Sequence, residues 1–138
     1  MASDEFWKEF WEHEFGNIIE AKDFAGHKVR KNEYIGNFPK GSKLPSTAWN
    51  FDDIGPLNPN GTEKPKQSLN NIANWQVANV ETNGIKANKT SFEINGKRYQ
   101  VIRNTPKNIQ GKVLAPYPNK HNPYKGKKYC IVILEENT

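Results

Sequence analysis

Trp49-Asn50-Phe51-Asp52-Asp53-Ile54-Gly55-Pro56-Leu57 is the stretch on which the fold turns. Apolar and polar side chains alternate from Trp49 to Asp52, the period of a half-buried strand. Gly55-Pro56 ends it, because proline has no N–H to give to a ladder. Asn58-Pro59-Asn60-Gly61 is a strong turn signal, and residues 65–71 read as a polar loop. Residues 72–89 predict a short strand followed by a helix. The best helical window is 78–89, which Gly84 weakens by ~1 kcal/mol. An aspartate thus stands at a strand end, and an asparagine, Asn83, follows later on a helix. A hard divalent ion such as Mg²⁺ takes oxygen ligands and keeps several waters. One carboxylate, one amide oxygen and a substrate phosphate are enough for it, and Asp52 and Asn83 can supply the protein's share. The plain alternatives are a turn-capping carboxylate and a helix-surface amide.

Working outward, residues 3–20 predict an amphipathic helix. Ser3 can cap it, and Asp4 and Glu5 suit the positive end of its dipole. Phe6, Trp7, Phe10, Trp11, Phe15, Ile18 and Ile19 form an apolar stripe that must bury, on the body or on a partner. Residues 21–50 are short and irregular, with a strand expected at 27–30 and a loop at 36–46. Phe92-Glu93-Ile94 and Tyr99-Gln100-Val101-Ile102 flank Asn95-Gly96, a hairpin signal. Residues 104–126 are rich in Pro, Asn and Lys without periodicity, and 127–135 read as a closing strand. No repeat or linker divides the chain, so 1–138 is expected to be a single α+β domain.

Composition narrows the classes. In 138 residues, 35% are hydrophobic, which is low, but 12% are aromatic and four are Trp, which argues against full disorder. No apolar run approaches the ~18 residues of a membrane span, and no basic-then-apolar leader opens the chain. A cytoplasmic protein is expected. The single cysteine, Cys130, excludes an intramolecular disulfide framework and reads as a small buried hydrophobe. His13, His27 and His121 make no metal-ligand spacing. Net charge is +5, but residues 1–20 hold six acids and one base, whereas residues 94–134 hold nine bases and no acid. Such a segment either meets an anion, nucleic acid first, or is a solvated lysine-rich surface. Tyr99, Tyr117, Tyr124 and Tyr129 within it can stack bases or pack as strand aromatics.

The order of Trp49-Asn50, Asp52, Ile54, Pro56, a glycine-containing loop, Asn74-Trp75 and Asn83-Gly84-Ile85-Lys86 resembles the HNH, or ββα-metal, nuclease family. Phe15-Gly16-Asn17, Asp23-Phe24-Ala25-Gly26, Tyr34 and Asn95-Gly96-Lys97-Arg98-Tyr99 extend the resemblance over roughly residues 5–103. It implies a ββα-metal core over 21–90, preceded by the amphipathic helix of 1–20 and followed by a basic β extension over 91–138. It implies metal ligands at Asp52 and Asn83 holding Mg²⁺ or Mn²⁺, a loop brace at Asn74, and a phosphate-reaching lysine at Lys86. Lys89, Lys97, Arg98 and Arg103 are the further candidate nucleic-acid contacts, with solvated lysines as the alternative for Lys86 and Lys89. The family's catalytic histidine falls at position 53, where this chain has Asp53. A carboxylate with a pKa of ~3.9 is a weaker base than an imidazole near ~6.5, and loss of a general base typically costs ~10²–10⁴-fold in rate. Asp53 can be a substitute base, a second metal ligand or a surface acid; if the site has decayed, no metal is held. The expectation is a catalytically impaired HNH-like protein that acts by binding DNA, RNA or a nucleic-acid-bound host nuclease complex. A phage or mobile-element inhibitor, such as an anti-CRISPR protein, is of this kind. The alternative is an active Mg²⁺- or Mn²⁺-dependent endonuclease. His27 is a minor candidate for a replacement base.

Overall fold

β3 (Trp49–Asp53) and β4 (Trp75–Asn79) pair antiparallel in an unbroken register from Trp49↔Asn79 to Asp53↔Trp75. The chain then enters α2 (Val80–Lys86) without an intervening residue. Asn79 makes that turn possible. Its side-chain oxygen accepts from the Glu81 N–H and caps the helix, while its amide donates to the carbonyls of Lys28 (2.9 Å) and Ser46 (2.7 Å). The helix therefore starts two residues later than the apolar periodicity predicts, and Ala78 belongs to the strand. Lys89, expected on the helix, lies exposed beyond its end.

These features are seen in a computed structural model, which describes residues 5–55 and 69–134. The turn expected at 58–61 and the Ser3 cap lie outside the described residues. Among those described, the remaining helices are α1 (Phe6–Phe15) and α3 (Pro106–Ile109). The remaining strands are β1 (Glu20–Lys22), β2 (Lys28–Arg30), β5 (Ser91–Ile94), β6 (Lys97–Arg103), β7 (Val113–Leu114) and β8 (Tyr129–Leu134). Pairing between the strands is antiparallel, in two hairpins, β1–β2 and β3–β4, and a four-stranded sheet of order β5-β6-β8-β7, and an isolated parallel bridge joins Tyr34 to Trp49. The chain is a mixed α+β fold. No helix of the described residues is long and apolar enough to cross a membrane.

The β3–β4 hairpin is covered on both faces. Residues paired across a ladder share a face, so Trp49, Phe51 and Trp75 lie on one side and Asp52 and Gln76 on the other. The aromatic side receives α1: Phe10 meets Phe51 at 5.0 Å between ring centroids, Phe6 meets it at 5.7 Å, and Trp11 meets Trp49 at 5.7 Å. Such ring pairs each contribute ~0.5–1.5 kcal/mol beyond area burial. The polar side receives α2. The helix expected over 3–20 is shorter, because the backbone at Gly16 takes φ +75° and its N–H closes on the Glu12 carbonyl. Ile18 and Ile19, placed in the buried stripe by periodicity, are 49% and 72% exposed. The segment is held by its backbone instead: the Ile18 carbonyl accepts from the Trp11 indole and the Ile19 carbonyl from Lys31 N–H.

The C-terminal half is tied to this unit by buried polar contacts. Lys127 Nζ donates to Glu14 on α1 (2.6 Å) and to the Trp75 carbonyl (2.6 Å). The Tyr117 hydroxyl donates to the same Glu14 oxygen (2.8 Å) and accepts from Val77 N–H on β4 (2.7 Å). Burial lowers the Lys127 pKa and raises that of Tyr117 well above its usual value. Gly55 is required where β3 ends, since a Cβ there would come within 2.5 Å of the Tyr129 ring. Tyr99, Tyr117 and Tyr124 are buried, so these three pack rather than present a face for base stacking. Cys130 is buried and free, and burial pushes its thiol up to about 11.

Candidate functional site

Asp52 leaves β3 on the face that α2 covers, and 2% of it is exposed. Its cross-strand neighbour Gln76 donates to one carboxylate oxygen (2.7 Å). Lys86, in the last turn of α2, is 1% exposed and places its ammonium 3.3 Å from one oxygen and 3.2 Å from the other. The same ammonium donates to the Asp53 backbone carbonyl (2.6 Å). Burial outweighs the cation and the amide beside it and pushes the Asp52 carboxyl up to about 6. Gln76 Oε1 is buried and has no hydrogen-bond partner among the described residues.

Asp52 and Asn83 border one small polar cleft of about 180 Å³, together with Asn50, Asp53 and Asn88. Asp53 is the last residue of β3, and the ladder is regular through it. No bulge turns it to the Asp52 side, so strand alternation directs the two carboxylates apart. Asn74 holds the strand end as a brace would: its side chain accepts from Gly55 N–H (2.7 Å) and donates to the Gly55 carbonyl (3.0 Å), and its own carbonyl accepts from Ile54 N–H (2.7 Å).

Lys86 departs most from its expected role. An ammonium buried on a carboxylate is not available to a phosphate outside. The burial follows from its position: the last turn of a short helix lying on the polar face of the hairpin brings its four-carbon stem inward to the one unpaired acid there. Lys89, Lys97, Arg98 and Arg103 are exposed, the last three on β6. His27 is tied between the Thr82 hydroxyl and the Asn95 amide, on neither Asp52 nor Asn83.

The residues present do not fit a divalent ion while Lys86 stays in place. A Mg²⁺ bound ~2.1 Å from Asp52 would lie within ~5 Å of the ammonium, a repulsion of about 6 kcal/mol at an effective dielectric near 20. Among the described residues, no group of three or more His, Cys, Asp or Glu side chains is placed to hold a metal. What the arrangement does chemically is neutralise Asp52 from inside and lock α2 to β3. Sequence reasoning missed Gln76, whose signal was its polarity among Trp75, Val77 and Ala78, and the Glu14–Tyr117–Lys127 clamp, whose acid lies far in the chain from its two partners.

Compared with protein-family models, with curated proteins and with solved structures, the chain matches none.

Proposed function

We propose that the chain is an HNH-like, ββα-type protein whose cutting site is closed by its own lysine and that acts by binding nucleic acid. The observation that carries this reading is Lys86, whose ammonium takes the Asp52 carboxylate that a catalytic cation would need. The hairpin running straight into a helix, the Asn74 brace and the cleft shared by Asp52 and Asn83 support the ancestry. Asp53 in place of the general base agrees with lost cutting. Binding is supported by the exposed bases of residues 97–128, which no acid interrupts.

The test is a plasmid-nicking assay with Mg²⁺ and with Mn²⁺, alongside duplex DNA binding by fluorescence anisotropy. The wild-type chain is expected to bind and not to nick. Asp53→His is expected to stay silent as well, because Lys86 remains on Asp52. Nicking that disappears in Asp52→Ala would overturn the reading in favour of an active endonuclease, for which the cleft beside Asp53 and Asn83 is the candidate site. DNA binding that is weak and insensitive to salt would move the partner to a protein, such as the nuclease complex that an anti-CRISPR protein blocks.

A further inference from the structure

A second, larger cleft of about 690 Å³ opens between the end of α1, the segment before β4 and the loop of residues 117–127. Its size falls within the ~300–1,000 Å³ usual for small-ligand sites. Among the described residues lining it, Glu14 is the sole acid, and its charge is spent internally. One oxygen takes Lys127 and Tyr117, and the other takes His13 Nδ1 (2.9 Å), which leaves 2% of the side chain exposed. What the cleft offers a ligand is therefore a set of donors. Lys125 is exposed and makes no ion pair among the described residues. Asn119 spends its side-chain oxygen on His121 N–H (2.8 Å), which keeps its amide N–H groups for something else. The Asn122 side chain is unpaired among the described residues, while His13 spends its Nδ1–H on Glu14. Ile72 and Pro118 give the cleft apolar surface.

The wall is held in place before any ligand arrives. Tyr124 N–H donates to the Tyr117 carbonyl (2.6 Å), and the Asn104 amide donates to the carbonyls of Tyr124 (2.9 Å) and Lys127 (3.1 Å). With the backbone fixed, ordering on binding falls chiefly on the Lys125 and Asn122 side chains. An ammonium and two amides match the three free oxygens of a phosphomonoester better than the two of a carboxylate. The volume leaves room for a sugar and a ring beside the phosphate.

We propose that this cleft binds a terminal phosphomonoester, either on a free nucleotide or at the end of a nucleic-acid strand. The proposal is independent of the reading of the Asp52 site. The full chain is titrated with adenosine monophosphate, with adenosine, and with two short oligonucleotides that differ in a 5′-phosphate, and amide-resolved NMR follows each titration. The monophosphate is expected to shift Asn119, Asn122 and Lys125, and adenosine to leave them unmoved. Lys125→Ala and Asn122→Ala are each expected to weaken binding about tenfold. Lys112→Ala, equally exposed but outside the cleft, is expected to leave it unchanged. Shifts of these residues by the 5′-phosphorylated strand that its unphosphorylated twin does not cause would assign the strand end, and shifts caused by the monophosphate with neither strand causing them would assign the free nucleotide. The proposal fails if adenosine binds as well as its monophosphate, or if Lys112→Ala weakens binding as much as Lys125→Ala, since diffuse charge would then account for it.

Discussion

Lys86 carries a charge into a place from which water is excluded, and its cost there depends on what faces it. Opposite an ionised Asp52 it is one half of a pair, and removing it leaves the carboxylate buried with only the Gln76 amide. Breaking a buried pair in this way costs ~3–5 kcal/mol. The pH dependence has a definite sign. The Asp52 pKa is raised from 3.8 to about 6, so between those values the folded chain holds this proton more tightly than the unfolded chain does. Its contribution to stability is full below the lower value and is lost as pH rises through the upper one. Lys86→Met should therefore destabilise by ~3–5 kcal/mol near pH 7 and by clearly less near pH 4, where Asp52 keeps its proton and no bare charge remains. Urea unfolding of both chains at the two pH values measures the difference. An equal loss at both would mean that the lysine stabilises through its stem and not through its charge.

At the scale of elements, Asn79 does for the hairpin and helix what the loop sequence cannot. It caps α2, holds β2 and the segment before β3 through two carbonyls, and its N–H is taken by Asp23 (3.0 Å). Asn79→Ala loses the cap, worth ~1 kcal/mol, and strands two carbonyls, at ~1–3 kcal/mol each when buried. A loss of about 3–7 kcal/mol is expected, of which Asn79→Ser, able to cap but not to bridge, recovers ~1. Thermal and urea unfolding of the two variants check it; equal losses would show that the cap contributes nothing. The same residue explains what could be read in advance. The strand at 49–53, the Asn95-Gly96 hairpin and the closing strand β8 each announce themselves by local pattern, and local pattern is enough where alternation and turn chemistry agree. The start of α2 was hidden, because Ala78 fits the helical period that follows, and it is the tertiary bonds of Asn79 to Asp23, Lys28 and Ser46 that hold 78–79 in the strand. β1 and β7, with three and two residues, are too short to carry a period, and α3 went unread in a stretch without periodicity although Thr105-Pro106 has the chemistry of a helix start. In the site, the sequence order placed Asp52 at a strand end and Asn83 on the following helix, and these two border one cleft, while Asn74 holds Gly55. The inward turn of Lys86 was not legible, since a lysine on a helix has no sequence mark that tells a buried partner from solvent.

For the whole molecule the decisive quantity is where charge lies in space. The acids of α1 are exposed on the side away from its aromatic stripe, except Glu14, while eight of the nine bases in residues 94–134 are exposed and Lys127 alone turns inward. A segment with no acids has nothing internal to answer its charge, so its affinity for a polyanion must be bound up with counterion release. Each neutralised phosphate contributes about −0.9 to the slope of log K against log salt, so a footprint of four phosphates gives a slope near about −3.6. Lys97, Arg98 and Arg103 stand exposed along one strand, β6, and none of them makes a side-chain ion pair among the described residues. If the Arg98 face of β6 lies in the footprint, Arg98→Gln should lower the magnitude of the slope by about 0.9, while Lys97→Gln and Arg103→Gln, on the opposite face of the strand, should leave it nearly unchanged. Lys43→Gln, exposed in the loop before β3, should leave the slope as it is. Fluorescence anisotropy of a labelled duplex across a series of KCl concentrations gives all four slopes. A slope that responds to Lys43 as strongly as to Arg98 would mean that the chain meets DNA through its net charge, with no strand of the sheet facing it.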